Sequence, residues 1–288
     1  EIDLDVTVTT HQGHGFALGE RAVAEACDIV VTLGGDGIVN EVVNGLLSNG
    51  PGPHVPLLAT VPGGSGNVFA RSLGLPADAV EATGLLLELL RTGWARPIGL
   101  GRAEDRWFVA NAGFGFDAEV IAAMEQQRRA GRTATPLRYL ATTVEHYFRH
   151  TDRRDPPLSL VRGEERVEDV FLAIVQNTAP WTYLGTKPID PCPQASFDTG
   201  LDLFATRRLG LPTTLVAATR MVTGSPRVGS ARGAIVLWHD QAEFTVQARR
   251  PVTMQIDGEA IGERSSVRFT AHPAALRVLA PQPLAQSS

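Results

Sequence analysis

Residues 2–8 alternate, with Ile2, Leu4, Val6 and Val8 apolar, and this period of two predicts a strand. A loop, Thr9-Thr10-His11-Gln12-Gly13-His14, separates it from a helix predicted over 17–26. The run Ile29-Val30-Val31-Thr32-Leu33 is apolar without alternation, which reads as a buried parallel strand covered on both faces. Val42, Val43, Leu46 and Leu47 then recur at helical spacing, with Glu41, Asn44 and Ser48 on another face. A second strand at 57–61 and a helix carrying Val68, Phe69 and Leu73 repeat the same order. The leucine-rich helix predicted over 79–93 ends at Gly93 as its C-cap.

From residue 98 the texture changes. Short alternating segments follow at 98–102, 106–112, 158–162, 169–176, 201–206, 234–238, 242–248, 252–257 and 266–270. Helices are predicted to interrupt them at 117–129, 137–149 and 212–223. The expectation is a parallel α/β domain at 1–95, which the chain end at 277–288 can rejoin, followed by a mostly antiparallel β-sandwich at 96–276. Residues 281–288 read as a disordered tail.

Both strand-to-helix junctions of the first region are rich in glycine. Gly34, Gly35 and Gly37 surround a single carboxylate, Asp36; the second junction is Pro62-Gly63-Gly64-Ser65-Gly66-Asn67. Strand, glycine turn and helix aim free backbone N–H groups and a positive helix end at an anion. Glycine also lets the main chain approach a phosphate without a Cβ in the way. Ser65 raises the nucleophile-elbow alternative, but Asn67 stands where G-x-S-x-G needs its second glycine.

Composition narrows the chemistry. With 288 residues, 43% hydrophobic and 20% charged, the chain can bury a substantial core. A net charge of −5 argues against nucleic acid as a partner. Lys187 is the sole lysine, so no Walker lysine exists and phosphates must be held by backbone N–H groups, arginine or a metal. Cys27 and Cys192 form no C-x-x-C pattern, which fits a reducing cytoplasm. No run approaches the ~18 apolar residues of a spanning helix, and the start carries no signal-peptide pattern.

The longer string Gly34-Gly35-Asp36-Gly37-Ile38-Val39-Asn40-Glu41-Val42-Val43-Asn44-Gly45-Leu46 resembles the nucleotide-binding signature of the diacylglycerol kinase catalytic family, which includes sphingosine and ceramide kinases. Ile38 stands where that family has threonine. The second glycine loop, running on through Val68, Phe69, Ala70 and Arg71, resembles another family segment, with Val68 replacing an aspartate of many bacterial members. Asn111 to Asp117 resembles N-x-x-x-G-x-D-A, and Asp257-Gly258-Glu259 resembles V-D-G-E. These segments occur in family order. The family's first strand, with its Asn-Pro-x-Ser-Gly loop, has no counterpart in these residues.

The resemblance implies a fold like NAD kinase and diacylglycerol kinase, and transfer of the γ-phosphoryl of ATP, with Mg²⁺, to a lipid hydroxyl, most simply that of diacylglycerol. It assigns nucleotide contacts to Thr9, Gly34, Gly35, Asp36, Gly37, Glu41, Gly63, Gly64, Ser65, Gly66 and Asn67. It makes Glu259 the proton acceptor, with Asp36 and Asp257 as further catalytic carboxylates, and Asn111 and Asp117 substrate-facing. A structural Mg²⁺ is implied at Asp198, Thr199 and Asp202, where the family's D-D-G-x-x-D has become D-T-G-L-D. The implied partner is a membrane lipid met peripherally at the inner face, with a homodimer left open. The alternatives are a sphingoid-base kinase, a soluble-substrate kinase like NAD kinase, and a non-catalytic lipid- or nucleotide-binding protein.

Overall fold

A computed structural model describes residues 3–115, 155–184, 186–208, 216–217, 219–221 and 233–282. The helices expected at 117–129 and 137–149, most of that at 212–223, and residues 283–288 lie outside the described residues, as does Asp117. The chain divides into two compact units, residues 1–96 with 276–288, and residues 97–275. Among the described residues no helix is long and apolar enough to cross a membrane.

Unit 1 is α/β. Strands β1 (Ile29–Gly34) and β2 (Leu57–Pro62) pair in parallel, Ile29 opposite Leu57 through Gly34 opposite Pro62. The last residues of β14 (Glu259–Val278) join β2 on its other side, also in parallel, with Val278 opposite Leu58. Among the described residues four helices accompany them: α1 (His14–Ala24), α2 (Asp36–Leu46), α3 (Val68–Ser72) and α4 (Ala79–Thr92). Helix α4 is bounded as its sequence predicts. The Asp78 carboxylate accepts from the N–H groups of Val80 and Glu81 at 2.9 and 3.0 Å, and Gly93 closes the helix at φ +66°. Helices α1 and α2 cross with their backbones in contact: a Cβ at Gly45 would lie 2.1 Å from the Phe16 carbonyl oxygen. Val39, Val42, Val43 and Leu46 bury the inner face of α2.

Two expectations for this unit are corrected. Residues 3–10 form no strand, and Leu4, Val6 and Val8 are 73, 74 and 78% exposed. Alternation fits a strand only where a neighbouring strand takes its hydrogen bonds, and none among the described residues does. Strand β1 is covered on one face only: Thr32 is buried, while Val31 and Leu33 are 51 and 72% exposed. An apolar run records what a strand can bury, and coverage depends on which helices lie over it.

Unit 2 is almost wholly antiparallel. It comprises β3 (Arg96–Ala103), β4 (Arg106–Phe108), β5 (Asn111–Gly115), β6 (Leu158–Arg162), β7 (Glu165–Val170), β8 (Leu172–Gln176), β9 (Thr182–Leu184), β10 (Lys187–Ile189), β11 (Leu201–Thr206), β12 (Ile235–Gln241), β13 (Glu243–Ile256) and most of β14. Hydrogen-bonded neighbours run β14-β13-β5-β8-β11-β12, with β3 beside β14 and β4 beside β3, and β6 beside β13 and β7 beside β6. The segments expected at 242–248 and 252–257 are one strand, β13. Its register shifts between Gln247 and Val252; before the shift it pairs with β6, and after it with β5. A strand that changes partners at an irregularity turns a corner between sheet layers. Phe114, Leu160, Val175, Leu203, Val246, Met254 and Phe269, from six strands, fill the resulting core.

Candidate active site

In unit 1 the two glycine junctions lie side by side at the carboxyl ends of paired strands. Gly63 N–H donates to the Gly34 carbonyl at 2.8 Å, continuing the β1–β2 ladder into the loops. Backbone meets backbone there, since a Cβ on Gly64 would lie 2.6 Å from Gly35 Cα. Part of the glycine pattern is therefore a packing requirement of the two loops against each other. Gly64→Ala is expected to lower stability by about 1–3 kcal/mol through this clash, read as a lower melting temperature, whatever its effect on ligands.

The loops are locked by side chains within them. Asn67, at φ +49°, accepts from Gly64 N–H and donates to the Gly64 carbonyl, both at 2.8 Å. Asp36 reaches across instead of outward: Oδ2 accepts from Val68 N–H at 3.0 Å and Oδ1 from Phe69 N–H at 2.9 Å. Burial pushes its carboxyl above the ordinary range, opposed by the N–H groups of Phe69, Val68 and Asp36 itself. Both oxygens thus cap α3, and Asp36 acts as the clasp between loops. Glu41 is likewise engaged, accepting from Gly13 and Gly15 N–H at 2.9 Å each and anchoring the start of α1. Thr9 and Ser65 are exposed.

The N-terminus of α2 differs from that of α3. Gly35 is its N-cap and brings no side chain to cap it. Gly37, in its first turn, is exposed, with nothing within 4 Å of where a Cβ would stand. An eleven-residue helix with a glycine N-cap and a second glycine in its first turn can receive an anion.

In unit 2, Asp257 and Gly258 form the two-residue turn joining β13 to β14, at φ +46° and +80°, with Ile256 opposite Glu259. The Asp257 carboxylate is spent inward. Oδ2 accepts from Val109 N–H at 2.9 Å, and Oδ1 from Ala110 and Asn111 N–H at 2.9 and 3.0 Å. This explains why the strand expected at 106–112 is split into β4 and β5, since the intervening N–H groups turn to the carboxylate. Asn111 continues the network, donating to the Trp181 carbonyl and accepting from Gln255, each at 3.0 Å. Asp257 and Asn111 therefore hold the turn in place. Asp257→Asn keeps the turn conformation but sets an amide NH₂ against a backbone donor. It is expected to cost about 2 kcal/mol, seen as a fall of roughly 4–8 °C in melting temperature.

Glu259 is the carboxylate the turn presents. It is 27% exposed and accepts from Arg106 Nη2. Arg106 carried no motif in the sequence, because its link to residue 259 exists only across β4 and β14.

The loop expected to hold Mg²⁺ has other partners. His239 Nδ1 lies 2.8 and 2.9 Å from the two Asp202 oxygens, and Asp240 N–H donates to Asp202 at 3.0 Å. Asp240 in turn accepts from Gly200 N–H at 2.6 Å, and Thr199 Oγ1 donates to the Ser196 carbonyl at 3.1 Å. Asp198 donates from its backbone N–H to Ser196 Oγ at 3.2 Å. Among the described residues no three His, Cys, Asp or Glu side chains converge as a metal site. The Asp202 carboxylate is thus held by His239 and the Asp240 N–H.

The diacylglycerol kinase catalytic domain model matches residues 1–103, which contain both glycine loops. A probable lipid kinase, YegS-like, of Xanthomonas axonopodis pv. citri is 30% identical over 97% of this chain and 87% of its own length. The chain belongs to the diacylglycerol kinase catalytic family of lipid kinases. The diacylglycerol kinase of Bacillus subtilis is 37% identical over 37% of this chain and 33% of its own. Among solved structures, a putative diacylglycerol kinase from Bacillus anthracis superposes with a TM-score of 0.72 at 20% identity, covering 95% of this chain and 84% of that one. The arrangement of a parallel α/β region followed by an antiparallel β region is that of the family. Within this lipid kinase fold, the carboxylates expected at the chemistry divide: Asp36, Glu41 and Asp257 bind backbone N–H groups, and Glu259 pairs with a side chain.

Proposed function

We propose that this lipid kinase transfers the γ-phosphoryl group of ATP to the free hydroxyl of diacylglycerol, giving phosphatidic acid and ADP. The observation that carries the reading is the glycine-lined N-terminal turn of α2 beside a second glycine loop that Asp36 clasps. With no lysine available there, the N–H groups of this turn are the donors for ATP phosphates. Glu259 takes the proton of the lipid hydroxyl as its oxygen attacks the γ-phosphorus and the bond to the β-phosphate oxygen breaks. The proton then leaves Glu259 to water. Such catalysis depends on positioning and charge, with no covalent enzyme intermediate. Membrane contact is peripheral and substrate-driven, as a net charge of −5 disfavours anionic lipid surfaces.

The test incubates the protein and labelled ATP, in Mg²⁺ buffer, with vesicles containing diacylglycerol, ceramide or a long-chain base, and separately with NAD. Label is expected in phosphatidic acid. Label in a sphingoid phosphate or in NADP would reassign the acceptor, and label in none would leave a binding protein.

A further inference from the structure

Glu259 is held by a segment that is itself fixed at both ends. Upstream, Glu104 and Asp105 make a tight turn that sets Ala103 opposite Arg106. That turn is bolted to β14: Glu104 N–H donates to the Arg268 carbonyl at 2.9 Å, and Arg268 N–H donates to Glu104 Oε1 at 2.7 Å. Downstream, the N–H groups of Val109, Ala110 and Asn111 bind Asp257, two residues before Glu259. Arg106 therefore starts from an anchored backbone and reaches a carboxylate whose own turn is anchored to the same segment.

We infer that Arg106 is a positioning residue for the proton acceptor Glu259, an inference that rests on the proposed kinase reaction. A glutamate side chain at a strand start has several accessible rotamers, and an acceptor must meet its hydroxyl at hydrogen-bond distance. The guanidinium selects one of them. Both side chains are partly exposed, at 31 and 27%, and ion pairs of that exposure add little to stability. The pair's consequence is geometric.

The test is a double-mutant cycle in the lipid phosphorylation assay. Arg106→Gln is expected to lower kcat by about 10–100-fold, the scale of a misplaced reacting group, with ATP affinity and melting temperature nearly unchanged. Arg106→Lys should restore part of kcat, since a cation at the same place still draws Glu259. In a Glu259→Gln background, Arg106→Gln should subtract nothing further. Unchanged kcat in Arg106→Gln, or losses that multiply in the double variant, would overturn the inference while leaving the kinase reading intact. A parent protein that phosphorylates no acceptor overturns both.

Discussion

Glu259→Gln is expected to lower lipid phosphorylation by about 10²–10⁴-fold, the usual share of general-base catalysis, while ATP binding stays near that of the parent. Glutamine keeps the shape and still offers Arg106 a carbonyl oxygen, so the guanidinium does not lose its partner outright. The turn also survives, because its conformation belongs to Asp257 and Gly258 and its anchoring to the Asp257 carboxylate. What disappears is a group able to accept a proton at neutral pH. The measurement is kcat with diacylglycerol vesicles at saturating ATP, with calorimetric titration of ATP as the control. Turnover equal to the parent's would move the proton acceptor away from Glu259.

Gly37→Ala separates binding from folding by moving them in opposite directions. Position 37 lies in the first turn of α2, and nothing stands within 4 Å of the added methyl group. Alanine there reduces the freedom of the unfolded chain and favours the helix, so stability should rise by about 0.4–1 kcal/mol. The same methyl narrows the close approach of an anion to the main chain there, where the phosphates are proposed to bind. Losing one or two charge-assisted hydrogen bonds, each worth roughly 1.5–3 kcal/mol, should weaken ATP by about 10²-fold. Calorimetry and thermal unfolding on one sample read both effects. Unchanged ATP affinity in the stabilised variant would place the phosphates elsewhere. Gly64→Ala makes a contrasting control, since its effect is a backbone clash with Gly35.

Much of this molecule follows from local pattern. The glycine-broken junctions after β1 and β2, the α4 boundaries at Asp78 and Gly93, and the change from helices to short strands near residue 97 are all set by neighbours in sequence. Local chemistry suffices for them: a cap is made within three residues, and a strand's period is visible within six. The Asp257–Gly258 turn is of the same kind, since a two-residue loop with positive φ at both positions suits aspartate and glycine. The order of the four family segments likewise marked the chain as a lipid kinase.

The partners of the carboxylates were decided only by the tertiary structure. Asp36, Glu41, Asp257 and Glu259 all read from sequence as groups facing ATP, metal or acceptor. Asp36 meets N–H groups more than thirty residues away, at Val68 and Phe69, and Asp257 meets a segment nearly 150 residues earlier. The D-T-G-L-D loop meets His239, which no spacing connected with it. A carboxylate carries the same charge whether it binds metal, takes a proton or caps a backbone. Which of these it does depends on the donors that folding brings within 3 Å, and for most of these groups the donors are main-chain N–H groups, which leave no trace in the identity of a residue.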